Sequence, residues 1–274
     1  MGYESFFKLT EHPFSFAANE KFYYDSPQHS KALVKLFHAV DTEKGLALLI
    51  GDIGTGKTTL SRRLLDQLID KEIEATLLVI IHSEITSLWF LKKIALMLEA
   101  SVESENKIDI ITAVYHRLIE LDSKGRKVVI LVDEANMLQK KEIMEEIRGL
   151  LNLESEKGKL LNFILFGLPE MEDYLKLDPP LYQRIAVRCV LEPLHKEATF
   201  NYITHRLRVA GCSRSLFTEE AMNHIYLYSK GTPRTINAIC DNALLEGFLL
   251  KKETIDEKII DDVCYDLGFV SKEN

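Results

Sequence analysis

The stretch LALLIGDIGTGKTTLSRRLL, residues 46–65, decides how the rest of the chain is read. An apolar run at 46–50 enters a glycine-rich turn, and Lys57, Thr58 and Thr59 then open a helix-period pattern. Gly51, Gly56, Lys57 and Thr58 meet the spacing G-x-x-x-x-G-K-[ST], with one more glycine at Gly54. Glycines let backbone N–H groups approach phosphate oxygens with no Cβ in the way. The N-terminus of the following helix adds positive potential. Gly51, Asp52, Ile53, Gly54, Thr55, Gly56, Lys57, Thr58 and Thr59 are therefore expected to cradle a nucleotide phosphate chain. In that reading Lys57 neutralises the β- and γ-phosphates and the Thr58 hydroxyl takes a Mg²⁺ position.

A second stretch, KVVILVDEANML at 127–138, places Asp133 and Glu134 at the end of an apolar strand. Ligands of open α/β sheets bind at that edge. Asp133 is expected to hold Mg²⁺ through water, because magnesium keeps most of its hydration shell. Glu134 is positioned to polarise an attacking water, the step that separates hydrolysis from mere binding. Together the two stretches predict that the phosphate chain is cleaved.

Outward from these motifs, near-continuous apolar runs at 46–50, 76–81, 128–132, 163–166 and 186–191 read as strands of a parallel sheet covered on both faces. Helix-period segments at 57–69, 87–98, 110–121 and 142–153 lie between them, which predicts a doubly wound α/β sheet. After Pro193 the rhythm changes to four successive helical patterns, with Thr218 and Thr232 where N-caps belong and Gly211 and Gly231 where helices stop. The expected organisation is an α/β nucleotide-binding domain at 1–192 and a small all-helical domain at 193–274.

Composition narrows the classes. A net charge of -8 argues against a surface that holds nucleic acid by neutralising phosphates. Cys189, Cys212, Cys240 and Cys264 are far apart, form no C-x-x-C pair and read as buried free thiols of a reducing compartment. The N-terminus has no secretory pattern, and no apolar run is long enough to cross a bilayer. A cytoplasmic location is expected.

Two arginines are candidates for coupling hydrolysis to motion. Thr232 and Pro233 place Arg234 in the first turn of a helix, where a cation opposes the helix dipole unless an anion compensates. A nucleotide phosphate and a nearby carboxylate are both candidate anions. Arg184, in LYQRIAVR, is either a plain surface residue or an arginine delivered to a neighbouring subunit's phosphoryl group.

The order of FFKLTEHPFSF, FYYDSPQHSKALVKL, GDIGTGKTTL, VVILVDEANML, LNFILFGLPEM, LYQRIAVRCVLEPL, YITHRLRVAG and SKGTPRTINAICDNALL resembles AAA+ ATPases of the ExeA/GspA type, the general secretion pathway protein A group, along nearly the whole chain. The resemblance implies an AAA+ core with a five-stranded parallel sheet, a helical lid, ATP at their junction, and a ring or other homo-oligomer. It implies Walker A roles for Lys57 and Thr58, Walker B roles for Asp133 and Glu134, an inter-subunit finger at Arg184 and a second sensor at Arg234 beside Pro233. Pro13, Phe14, Tyr24 and His29 would lie near the adenine. His29 read alone is equally an ordinary surface residue.

Two departures from the family pattern stand out. Gly167-Leu168-Pro169-Glu170-Met171 replaces the frequent G-Q-P-E-L, so Leu168 cannot supply the hydrogen bond of a first sensor. Asn162 is at the wrong end of that strand to replace it. The membrane span and peptidoglycan-binding region usual in secretion members are absent from this sequence, which reads either as a standalone family member or as a fragment of a longer chain. The expected role is a Mg²⁺-dependent ATPase serving a cell-envelope machine (secretion, pilus or polysaccharide export), cytoplasmic or peripheral at the inner membrane, with a protein partner there. The alternatives are a DNA-associated transposition helper and an ATP-gated scaffold with little hydrolysis. Against the DNA reading, the last 24 residues carry four lysines and seven acidic residues, a balance of -3.

Overall fold

The computed structural model describes residues 2–16, 19–100 and 102–269. The strands are β1 (Leu46–Gly51), β2 (Glu74–Val79), β3 (Val128–Asp133), β4 (Glu154–Ser155), β5 (Gly158–Lys159), β6 (Asn162–Gly167) and β7 (Ile185–Leu191). Five of them form one parallel sheet in the order β2-β3-β6-β1-β7, with Leu46 beside Phe163 and Leu131 beside Ile164. Every residue of β1, β3 and β6 is buried, which is why these central strands read as unbroken apolar runs. The edge strand β7 instead exposes Ala186, Arg188 and Val190.

The helices in chain order are α1 (Tyr3–Phe7), α2 (Pro27–Asp41), α3 (Lys57–Ile69), α4 (Ser87–Met97), α5 (Lys107–Ser123), α6 (Lys141–Leu150), α7 (Met171–Leu175), α8 (Pro179–Tyr182), α9 (Lys196–Val209), α10 (Glu219–Ser229), α11 (Pro233–Leu249) and α12 (Glu257–Asp266). The five expected strands and four expected inter-strand helices are present, and their ends shift for local reasons. β2 stops at Val79, and Ile81, expected in the strand, is 81% exposed. α5 starts three residues earlier than its apolar period, because the Asn106 side chain accepts the Ile108 N–H at 2.9 Å and caps it there. α6 ends early, where the chain turns into the polar hairpin β4–β5, which apolar periodicity does not signal.

Contacts divide the chain into two compact units. One comprises Pro27–Ile53 and Lys57–Leu191; the other comprises the described residues of Met1–Ser26, Gly54–Gly56 and Glu192–Asn274. The described residues among the first 26 thus group with the helical unit, whereas the sequence placed them with the α/β domain. The reason is hydrophobic: Tyr3, Phe7, Phe14 and Phe22 are buried in one core with Ile203, Leu207, Phe217 and Leu244. Buried Arg206 completes the attachment. Its Nε donates to the Pro13 carbonyl at 2.5 Å, its Nη2 donates to the Ser15 carbonyl at 3.3 Å, and its guanidinium lies 5.1 Å from the Phe22 ring centre.

In the helical unit the Thr218 hydroxyl accepts the Ala221 N–H at 3.1 Å, as an N-cap should. Thr232 occupies the N-cap of α11 by backbone position, but its side chain makes no capping bond. All four cysteines are buried and free. Among the described residues no helix is long and apolar enough to cross a membrane. Lys272 and Glu273 of the tail's charge count lie outside the described residues.

Candidate active site at the carboxyl edge of the sheet

The carboxyl ends of β3, β6 and β1 are neighbours in the sheet, and the motif residues leave from them. Gly54 and Gly56 have φ of 81° and 104°, backbone that side-chain-bearing residues rarely adopt. Lys57 opens α3 and is only 7% exposed. Its Nζ donates to the carbonyls of Gly51 at 2.8 Å and Asp52 at 3.0 Å, using two of three N–H groups. Burial lowers the Lys57 pKa, and the charges of Glu134, Asp133, Asp52 and Glu170 oppose that shift. These carboxylates therefore share one electrostatic field with the lysine. Thr58 and Thr59 are half-buried in the first turn of α3, Thr55 is buried, and Asp52 and Ile53 are exposed.

Asp133 is the last residue of β3 and 1% exposed. Its Oδ1 accepts the Glu134 N–H at 3.0 Å, while its Oδ2 is sealed and has no hydrogen-bond partner. A buried carboxylate oxygen without a donor is costly unless a cation or water takes it. The orphan oxygen therefore fits a hard divalent cation, with the Thr58 hydroxyl as the other expected holder. Glu134 sits in left-handed backbone at φ 54° and ψ 36°, which strains a residue with a Cβ. Its carboxylate makes no hydrogen bond or salt bridge among the described residues, so it is held in an unfavourable backbone with its acceptor valence open.

The sequence reading missed Asn136. It lies on a single 3-10 turn, Ala135–Met137, two residues after Glu134, and is 4% exposed. Its Oδ1 accepts the Leu168 N–H at 3.2 Å, which ties the end of β3 to the end of β6. Gly167 permits this approach, since a Cβ there would stand 3.2 Å from the Asn136 backbone nitrogen. The available signal was a polar residue directly after D-E-A. Asn162 is at the amino end of β6, as expected. Its Oδ1 accepts the Gly45 N–H at 3.0 Å and its Nδ2 donates to the Val128 carbonyl at 3.5 Å.

Arg234 is exposed in the first turn of α11, and the described residues supply no carboxylate partner for its guanidinium. Its backbone N–H donates at 3.3 Å to the carbonyl of Gly54, a residue grouped with the helical unit. A Cβ on Gly54 would come within 2.6 Å of the Arg234 Cβ. Arg184 precedes β7, at the amino edge of the sheet, where its Nη1 donates to Asn152 Oδ1 at 2.6 Å.

The adenine-side expectations fare differently. Phe14 is fully buried in the helical core, edge-on to Phe217. The Pro13 carbonyl is bonded by Arg206. Tyr24 packs edge-on to Tyr202 and beside His205. His29 is buried in α2, so it is not a surface residue.

Comparison with known proteins agrees with this geometry. Residues 40–175 match a family model described as an AAA domain. Over 99% of its length the chain is 35% identical to general secretion pathway protein A of Aeromonas hydrophila, of which it covers 49%. It thus spans about half the length of that relative. Among solved structures, Cdc6p from Pyrobaculum aerophilum superposes with a TM-score of 0.71 at 15% identity, covering 93% of this chain and 70% of the other. Aeropyrum pernix ORC2, solved in ADPNP–ADP complexes, gives 0.66 at 14% identity, with 96% and 73% covered. At such identities these two matches speak for the fold alone.

Proposed function

We propose that the chain is a P-loop ATPase of the AAA+ kind, in the likeness of general secretion pathway protein A, and that it binds and hydrolyses ATP with Mg²⁺ to serve assembly of a cell-envelope machine. One observation carries the hydrolytic half. Buried Lys57, the sealed Oδ2 of Asp133 and the strained Glu134, whose carboxylate makes no hydrogen bond among the described residues, all issue from the carboxyl edge of one sheet, after β1 and β3 with β6 between them. Gly51–Thr59 would receive the phosphates, with Lys57 on the β- and γ-oxygens and Thr58 and Asp133 holding Mg²⁺. The ion would screen the phosphate charge during cleavage. Glu134 would orient and deprotonate the attacking water.

The unpaired Arg234 would add a cation to the phosphates. Arg184 would act across a subunit boundary in a homo-oligomer, after leaving Asn152. The envelope role rests on the identity to general secretion pathway protein A over 99% of the chain. A cytoplasmic position, or one peripheral to the inner membrane, would suit that role.

The test is Mg²⁺-dependent phosphate release by purified protein, compared with Glu134→Gln. Turnover by the natural protein, lost in the variant with nucleotide binding kept, supports the reading. Nucleotide bound equally long by both makes the protein a scaffold. A deletion strain assayed for secretion, piliation and polysaccharide export tests the cellular half; no change in all three would overturn it.

A further inference from the structure

We propose that the Asn136 side-chain amide donates a hydrogen bond to the terminal phosphate of the bound nucleoside triphosphate, supplying the polar contact that Leu168 cannot make. The proposal rests on the ATP reading above and adds a residue to that site.

The orientation of the amide is fixed by chemistry. Leu168 N–H is a donor, so the Asn136 atom it meets at 3.2 Å must be the oxygen. The NH₂ group is thereby turned away from Leu168. It makes no hydrogen bond among the described residues, and it is not among the sealed unpaired atoms, so it still reaches solvent. An amide on a residue 96% withdrawn from solvent, with its acceptor fixed and its donors free, is ready to take an acceptor that arrives with a ligand.

Position selects the kind of acceptor. Asn136 joins the ends of β3 and β6, and β6 lies directly beside β1, from which the phosphate turn leaves. Glu170, on the loop after β6, is near enough for its charge to act on Lys57. An anionic oxygen held by Lys57 would satisfy both groups. A hydrogen bond to a charged acceptor is the stronger kind, and it would tell a triphosphate from a diphosphate.

Asn136→Asp separates this role from simple stapling. The aspartate keeps an oxygen for the Leu168 N–H but replaces the donor with a carboxylate. We expect its preference for a non-hydrolysable ATP analogue over ADP to fall about 10-fold or more. ADP affinity should stay within about twofold, the melting temperature should hold, and kcat should fall with it. Asn136→Ala with Leu168→Asn moves the donor to the neighbouring strand end and should recover part of the preference lost in Asn136→Ala alone. An unchanged preference in Asn136→Asp overturns this inference while leaving the ATP reading standing. Natural protein that binds neither nucleotide overturns the ATP reading, and this proposal with it.

Discussion

The two edges of the sheet use polar side chains in opposite ways. At the amino edge Asn162, Arg184, Arg148 and Asp178 are answered by protein. Asn162 bonds both Gly45 and Val128, Arg184 bonds Asn152, and Arg148 Nε pairs with buried Asp178 at 2.9 Å. At the carboxyl edge valences stay open: Asp133 Oδ2, the Glu134 carboxylate, the Asn136 amide and one N–H of Lys57. Burial is similar at both edges, so burial does not distinguish them. Satisfaction does. A fold that closes its hydrogen bonds on one edge and holds them open on the other gains stability from the first and leaves the second able to take a ligand.

The largest expected effect comes from the open edge. Glu134→Gln should lower ATP turnover by about 100-fold or more, the scale of a lost general base. Asp133→Asn should abolish Mg²⁺ stimulation. Because the asparagine keeps Oδ1 for the Glu134 N–H and removes an orphan charge, its urea midpoint should not fall. A large loss of stability in Asp133→Asn would show that the protein itself uses Oδ2, and the contrast between the edges would collapse.

The closed edge should respond in the opposite sense. Asn162→Leu leaves the Gly45 N–H unanswered and should cost about 1–3 kcal/mol in urea unfolding with kcat unchanged. Asp178 gives the pH counterpart. Burial pushes its carboxyl pKa up, but the hydrogen bonds from Arg148 and the Leu181 N–H prevail and hold it below the usual carboxylate range. A depressed folded pKa means stability present above the unfolded value, near ~3.9, and lost as pH falls through the folded one. Asp178→Asn should therefore flatten the acid limb of the stability profile below about pH 4 and leave the neutral pH–rate profile alone.

What was legible in the sequence follows the range of the interactions. The phosphate turn and the Asp133–Glu134 pair are contiguous, and their meaning depends only on a strand before and a helix or turn after. Asn136 acquires its meaning from Leu168, 32 residues away, through the pairing of β3 with β6 that no local pattern states. Arg206 is farther still from its partner Pro13, 193 residues on, so the grouping of the described residues before Pro27 with the helical unit stayed hidden. Phe14 reads as a candidate for adenine in a one-dimensional motif and as a core ring in three dimensions. The hairpin β4–β5 is polar and two residues per strand, below the length at which alternation carries information.

The smallest expected effect puts the same test to the helical unit. Arg234 stands in the first turn of a 17-residue helix that has no acidic residue in that turn, and the described residues supply no carboxylate for it. Its charge opposes the helix dipole, so Arg234→Gln in the absence of nucleotide should raise stability slightly, by about 0.3–1 kcal/mol and toward the low end because the side chain is exposed. Adding an ATP analogue with Mg²⁺ should reverse the order, because only the arginine gains a phosphate partner. The measurement is urea unfolding of both proteins with and without nucleotide. If Arg234→Gln is destabilised even without nucleotide, the guanidinium is serving the fold, and Arg234 belongs with the closed amino edge rather than with Glu134.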